Sequence, residues 1–401
     1  MRAMERLFAI RDGVVGAVAP VSAEDVPLAA ALGRYLAADA LAPIDAPPHI
    51  CSAMDGYAVR AGDVVGPCAL RVALTIYAGD VPARPLAAGE TARIFTGATL
   101  PGGADAVVRE EATRAGGEHV RFLDAARPGE NVLRAGEDVA RGGLALAAGT
   151  RIGARQAALL AAVGVTSLSV HRQPRVAILS TGDEVVSGRT PDSNGAALDA
   201  LVTAIGALPA RRVVGDRLDA VVAALSSALA TCDAVVTVGG VSIGERDHVP
   251  AALATLGADV RVHGVPMKPG KPFLFALARG KPVLGLPGSP SACLVAFEVF
   301  ARPALLALAG AARRERATVP VRLAEPAAGR PGRARLLWAR VGSDGRARPL
   351  GRDAAQVRGP ALADALLLVP SGAGDLEPGA EVLAWLLDDD APVMAAPLPA
   401  E

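Results

Sequence analysis

The sequence predicts a multidomain protein of mixed α/β and β character, and three observations carry that reading. A chain of 401 residues exceeds what one hydrophobic core normally serves, so about two to four domains are expected. In residues 174–311 short apolar runs lead straight into glycine loops and then helix-like stretches, the pattern of parallel strands buried on both faces. Residues 43–139 and 312–401 instead carry short β-type runs, as in small β domains.

Taken in order, residues 1 to about 40 read as helical, rich in Ala and Leu, with Ser22-Ala23-Glu24-Asp25 as a helix entry and Gly33 as an interruption. From Pro43 to about Gly143 the chain is dense in Gly and Pro, and the runs 71–77 and 106–109 mark strands. Residues 154–163 return to helix, ended by Gly164. Packing of this helix on the N-terminal ones would make the β-rich part an insertion. The strands of the α/β block are 175–180, running into Thr181-Gly182-Asp183-Glu184, 234–238, running into Gly239-Gly240, and 282–286, running into Pro287-Gly288-Ser289-Pro290. In such sheets ligands bind beyond the carboxyl ends of the strands, where these loops gather. A helix from about Ser291 to Leu308 follows, and Asn194 is a candidate cap for the helix after Asp192-Ser193, so amide-rich helix starts are available to an anion. Beyond Ala311, residues 319–323, 335–341 and 381–387 look like strands, with a hairpin turn at Ser343-Asp344-Gly345. The run Asp388-Asp389-Asp390 reads as a solvated tail.

Composition narrows the function. Aromatics are only 3% and formal net charge is zero, which argues against base-stacking surfaces and a broad nucleic-acid footprint. Cys51, Cys68, Cys232 and Cys293 are widely spaced with no CxxC pair, so neither a zinc site nor a disulfide framework is supported. No long apolar run suggests a membrane span or leader, and the expectation is a soluble, cytoplasmic protein.

Among 41 basic residues the only lysines are Lys268, Lys271 and Lys281. Two stand in Met267-Lys268-Pro269-Gly270-Lys271-Pro272, where an ammonium suits a small tetrahedral oxyanion and the prolines hold the loop stiffly. A phosphate-binding loop of the Walker type is excluded, because Gly264 and Gly270 enclose five residues and Pro272 stands where a Ser or Thr should hold magnesium. Two solvated loop lysines are the plainer alternative. Asp183, Glu184, Asp216 and Asp247 lie in loops of the same block. Carboxylates beside lysines are the parts needed to hold magnesium and a polyanionic ligand together, and capping of a helix start is the alternative for Asp183 or Glu184.

A set of motifs then occurs in a characteristic order: Ser52-Ala53-Met54-Asp55-Gly56-Tyr57-Ala58-Val59-Arg60, Arg93-Ile94-Phe95-Thr96-Gly97-Ala98, Gly103-Ala104-Asp105-Ala106-Val107-Val108, Gly136-Glu137-Asp138-Val139, Leu179-Ser180-Thr181-Gly182-Asp183-Glu184, Gly239-Gly240-Val241-Ser242-Ile243-Gly244 and Lys268-Pro269-Gly270-Lys271-Pro272. The chain closely resembles the molybdopterin molybdenumtransferases of molybdenum-cofactor biosynthesis. The resemblance implies a discontinuous helical linking domain (1–42 and 140–173), a β-rich inserted domain (43–139), a central MoaB/Mog-like α/β domain (174–311) and a C-terminal β-barrel-like domain (312–401), in a homodimer. It implies transfer of molybdenum from molybdate to adenylylated molybdopterin with release of AMP, helped by a divalent cation such as Mg2+. Molybdopterin adenylyltransferase and molybdoenzyme-maturation proteins are the implied partners.

Carried over motif by motif, Lys268 and Lys271 bind the oxyanion or the pterin phosphate, and Asp55, Thr96 and Asp138 complete the catalytic set with Glu184 and Asp247. Glu184, Asp216 and Asp247 are the implied metal ligands. The cofactor contacts are Thr181, Gly182, Asp183, Ser193 and Asn194 on the first loops, then Gly239, Gly240, Ser242 and Gly244. Pro269, Gly270, Pro287, Gly288, Ser289 and Ser291 make up the rest. For Thr96 and Asp55 a turn-stabilising role is the alternative. The chain departs from the family at Ile50-Cys51, where an acidic residue and Asn are usual, at Arg217 after Asp216, and in the loop 287–292, where a Pro-Gly-Asn-Pro-Val-Ser pattern has become Pro-Gly-Ser-Pro-Ser-Ala. These departures motivate two alternatives, a non-catalytic molybdopterin or molybdate carrier or scaffold, and the preceding adenylyl transfer. The retained Asp55 and Thr96 motifs lie outside the α/β block and favour insertion.

Overall fold

The apolar runs that end in glycine loops form a parallel core. In the computed structural model, which describes residues 2–387 apart from 243, 245–246, 330–331, 352–355, 370–371 and 373, strands Leu208–Val214, Arg175–Thr181, Ala234–Val238 and Lys281–Leu286 lie side by side and parallel. Leu274–Ala278 and Asp259–His263 extend the sheet antiparallel to six strands. Arg279 and Gly280, both at positive φ, make the two-residue turn that joins Leu274–Ala278 to Lys281–Leu286, the turn type whose twist matches a hairpin. One face of the sheet is covered by helices Ser193–Ala204, Pro290–Ala296 and Arg302–Leu308, the other by Leu218–Thr231 and Val249–Thr255. Burial on both faces is why Arg175–Thr181, Ala234–Val238 and Lys281–Leu286 read as near-continuous apolar runs, whereas the edge strand Leu208–Val214 carries Pro209, Arg211 and Arg212. The helical run Pro290–Leu308 is long and apolar enough to cross a membrane, but it is 94% buried in the protein core. Its Glu298 is paired with Arg316, as a buried charge requires.

The N-terminal expectation needs correction. Helix covers only Arg2–Gly16, and the supposed helix entry at Ser22-Ala23-Glu24-Asp25 begins the strand Ala23–Pro27, which pairs antiparallel with Ser167–His171. Pro20 and Pro27 bracket the segment and disfavour a helix through it, while a distant strand supplies the partner that local propensity cannot anticipate. Helix Ala154–Ala162 therefore packs on the turn Leu28–Ala31 and on residues around Leu36 and Ala42. Helix Arg2–Gly16 instead sends Leu7 and Val14 into the core shared by the central sheet and Trp338.

The insertion is β-rich as expected, a six-stranded sheet ordered Ala106–Arg109, Gly56–Val59, Glu90–Ile94, Cys68–Ile76, His119–Phe122 and Thr113–Gly116. At the C-terminal end, Thr318–Leu323, Ala334–Val341 and Glu381–Leu386 match the expected strands, and Ser343-Asp344-Gly345 turns the chain into Arg346–Pro349. Ala365–Val369 was not anticipated. It pairs with both Ala334–Val341 and Glu381–Leu386, which closes the barrel. Residues 388–390 lie outside the described residues.

Candidate active site

Loops at the carboxyl ends of the central strands build the site. After Arg175–Thr181 the chain turns at Gly182 (φ 150°), where a Cβ would lie 2.6 Å from Glu184 Oε1. Only glycine leaves room there for the Glu184 carboxylate to fold back over the loop. Asp183 and Asp216 brace each other: Asp183 N–H donates to Asp216 Oδ2 at 3.2 Å, and Asp216 N–H donates to Asp183 Oδ1 at 3.1 Å. Thr181 Oγ1 donates to Val238 O at 3.2 Å and lies 3.0 Å from where a Cβ on either Gly239 or Gly240 would sit, so those glycines let the first two loops close together.

Asp247 Oδ2 accepts from Gly244 N–H at 2.8 Å, and Ser242 is half-buried on the same loop. The loop after Lys281–Leu286 touches this one, with Gly288 packed against Gly239. Asn194 is not the helix cap. Asp192 caps Ser193–Ala204, accepting from Gly195 N–H at 2.9 Å and from Ser180 Oγ at 2.9 Å, while the Asn194 amide donates to Gly288 O at 2.7 Å and ties two loops together. Ser193 and Ser289 are exposed beside them, and Pro287 is buried beneath.

The lysine loop completes this cluster. Met267–Lys268 pairs with Ala334–Arg335 of the barrel. At Gly270 (φ 103°) a Cβ would strike Met267 Cε at 2.2 Å, with Ala292 O at 3.6 Å, which brings the loop against the start of helix Pro290–Ala296. Lys268 and Pro269 line a small cleft between the central and C-terminal units, together with Ser291, Arg335 and Trp338. Ser291 is buried, and its Oγ accepts from Trp338 Nε1 at 2.8 Å; the hydroxyl seats the indole. Lys271 is exposed. Among the described residues neither the Lys268 nor the Lys271 ammonium group has a hydrogen bond or ion pair. Sequence reasoning missed Arg335 and Trp338, which no motif marks; the strand pairing to Lys268 brings them in.

Asp55, Thr96 and Asp138 are elsewhere. Asp55 Oδ1 accepts from Thr96 N–H at 2.8 Å and from Thr96 Oγ1 at 2.7 Å. The backbone bond, then the hydroxyl bond, holds the Asp55 carboxyl below its usual range. Asp138 is exposed on a turn held by its backbone to Ala46 O. Among the described residues no hydrogen bond, strand pairing or shared core joins residues 50–134 to the central unit. The three expected metal ligands also fail to converge. No three metal-ligating side chains cluster among the described residues.

Comparison with known proteins agrees with this architecture. Residues 4–164 match the model of the MoeA N-terminal region (domains I and II), 177–307 that of a probable molybdopterin binding domain, and 320–387 that of the MoeA C-terminal region (domain IV). The molybdopterin molybdenumtransferase of a Nostoc species is 42% identical over 306 residues, covering 72% of this chain and 70% of that protein. The Bacillus subtilis enzyme of the same name is 38% identical over 297 residues, covering 70% of this chain and 69% of that one. A crystal structure of the molybdopterin biosynthesis MoeA protein of Pyrococcus horikoshii superimposes with a TM-score of 0.74 at 32% identity, covering 95% of this chain and 98% of that one. With all three regions matched in order around one cluster of loops, the chain belongs to the molybdopterin molybdenumtransferase (MoeA) family.

Proposed function

We propose that the protein moves molybdenum from molybdate onto the dithiolene of adenylylated molybdopterin at the loops above, with release of AMP. The observation that carries this reading is the pair of uncommitted ammonium groups, Lys268 and Lys271, at the carboxyl ends of a parallel sheet in a chain whose one other lysine is Lys281. Forming metal–sulfur bonds removes oxygen from molybdate, so the oxyanion must be held beside the dithiolene while the phosphoanhydride is cut. That work is positioning and charge neutralisation. Lys268 and Lys271 supply the positive charge, and Gly240 and Gly288, which carry no side chain, let phosphate oxygens approach the backbone closely.

Among the described residues there is no protein-only metal cage. Glu184 and Asp247 would supply one or two ligands to a hard divalent cation bound together with the substrate's phosphates. Such an ion would neutralise charge developing on the anhydride. Asp55 and Thr96 reach the lysine loop from a second copy of the chain, because an insertion standing apart from its own α/β unit can cross the two-fold axis of a homodimer. The test is whether purified protein converts adenylylated molybdopterin to active cofactor at low molybdate. Binding of the nucleotide with no turnover identifies a carrier instead.

A further inference from the structure

Two of the chain's few aromatic residues meet in the open. Tyr77 and Phe95 stack with ring centroids 4.8 Å apart and planes 8° from parallel, yet Tyr77 is 57% exposed. Phe95 covers one face of the tyrosine, and more than half of the residue stays open. The backbone that carries the ring is pinned. Tyr77 N–H donates to Asp80 Oδ2 at 2.9 Å, Asp80 N–H returns to Tyr77 O at 3.0 Å, and Phe95 N–H bonds Ile76 O at 3.3 Å. Low aromatic content hides this surface from composition, which averages over the chain.

The stack adjoins the chemistry of the insertion. Phe95 directly precedes Thr96, which bonds Asp55. The Arg93 guanidinium lies 5.4 Å from the Phe95 ring centroid and pairs with Glu110 at 3.2 Å. An open, pre-set aromatic face beside a cation and a carboxylate suits a flat nitrogen heterocycle that carries phosphate, because every such ring has a π-face and stacking tolerates its identity. We propose that Tyr77, backed by Phe95, is the stacking platform for a planar ring of the adenylylated substrate, either adenine or pterin. The proposal rests on the functional reading above.

The test compares Tyr77→Ala and Tyr77→Phe with wild type by calorimetric titration of AMP and, anaerobically, of molybdopterin. Tyr77→Ala weakens one of the two by about tenfold, as expected for loss of one stacked ring, and Tyr77→Phe restores it. KM for adenylylated molybdopterin rises in step, and kcat falls much less. A loss confined to AMP assigns the platform to adenine; a loss confined to molybdopterin assigns it to the pterin. Unchanged affinity for both overturns the proposal. So does a Tyr77→Ala protein that sediments as monomer where wild type is dimeric, since the stack is then a subunit contact. Wild-type protein that binds both probes but never turns over refutes the functional reading and leaves the platform intact.

Discussion

The two ends of the central sheet use the same residue type in opposite ways. Lys281 opens the strand Lys281–Leu286, and its Nζ donates to Leu229 O and Cys232 O, each at 2.7 Å. It closes the carbonyl end of helix Leu218–Thr231, where a cation also meets the negative end of the helix dipole. Lys268 and Lys271 lie at the other end, because Leu274, just past their loop, pairs with Gly285 near the carboxyl end of that strand. There the ammonium groups have no partner among the described residues. A lysine bonded to two carbonyls holds the fold, whereas one left uncommitted among converging loops is available to an anion. Position relative to the sheet separates the two uses, and distance along the sequence does not.

The comparison breaks most sharply if the open end is complete within one chain. Asp55→Asn and Lys271→Ala are each expected to be inactive as homodimers. Mixing the two proteins yields dimers in which one site carries both changes and the other none. Random exchange makes half the dimers mixed with half their sites intact, so activity returns to roughly a quarter of wild type. Native mass spectrometry reports the mixed dimers. Their presence without activity means the site is built within one chain, or that the two sites depend on each other.

Within the lysines, the expected effects divide between function and stability. Lys268→Ala and Lys271→Ala each lower turnover at subsaturating molybdate by at least about tenfold, since one charged hydrogen bond contributes about 1.5–3 kcal/mol. Their unfolding curves stay close to wild type. Lys281→Met shows the reverse pattern, a stability loss of about 1–3 kcal/mol for two carbonyls left without their donor, with turnover retained at moderate temperature. Denaturant titration and rate measurement on the same three preparations decide it. Equal stability losses for all three would dissolve the distinction between the two ends.

What the sequence made legible follows from locality. Strands buried on both faces announce themselves as unbroken apolar runs, and a residue type as rare as lysine is informative wherever it clusters. Partners far along the chain are not legible. Asp192 and Asn194 are both good cap residues, and only the Gly288 carbonyl decides that Asn194 turns outward to another loop. Asp216 reads from sequence as a loop carboxylate, and no motif shows that it also accepts from the amide of Asp183, 33 residues away. Residues 365–369 carry too little pattern to separate a buried strand from a helix, and the barrel settles it by offering pairing on both edges. The Ser291–Trp338 bond joins residues 47 apart and leaves no trace in any motif.

The smallest expected effect concerns the pH response of Asp55. Its carboxyl is held below the usual range first by the Thr96 backbone N–H and second by the Thr96 hydroxyl. Thr96→Val removes only the second donor and keeps the branched shape, so the Asp55 pKa moves upward part of the way to its ordinary value. A lowered pKa means that the carboxylate persists as pH falls until the folded value is reached, and the variant loses it earlier. The acid limb of the kcat/KM profile, read against each protein's own plateau, therefore shifts to higher pH in Thr96→Val. Carbon NMR of the Asp55 carboxyl measures the titration independently. A titration that shifts while the acid limb stays fixed would assign that limb to another group, and Asp55 would then act through geometry rather than charge.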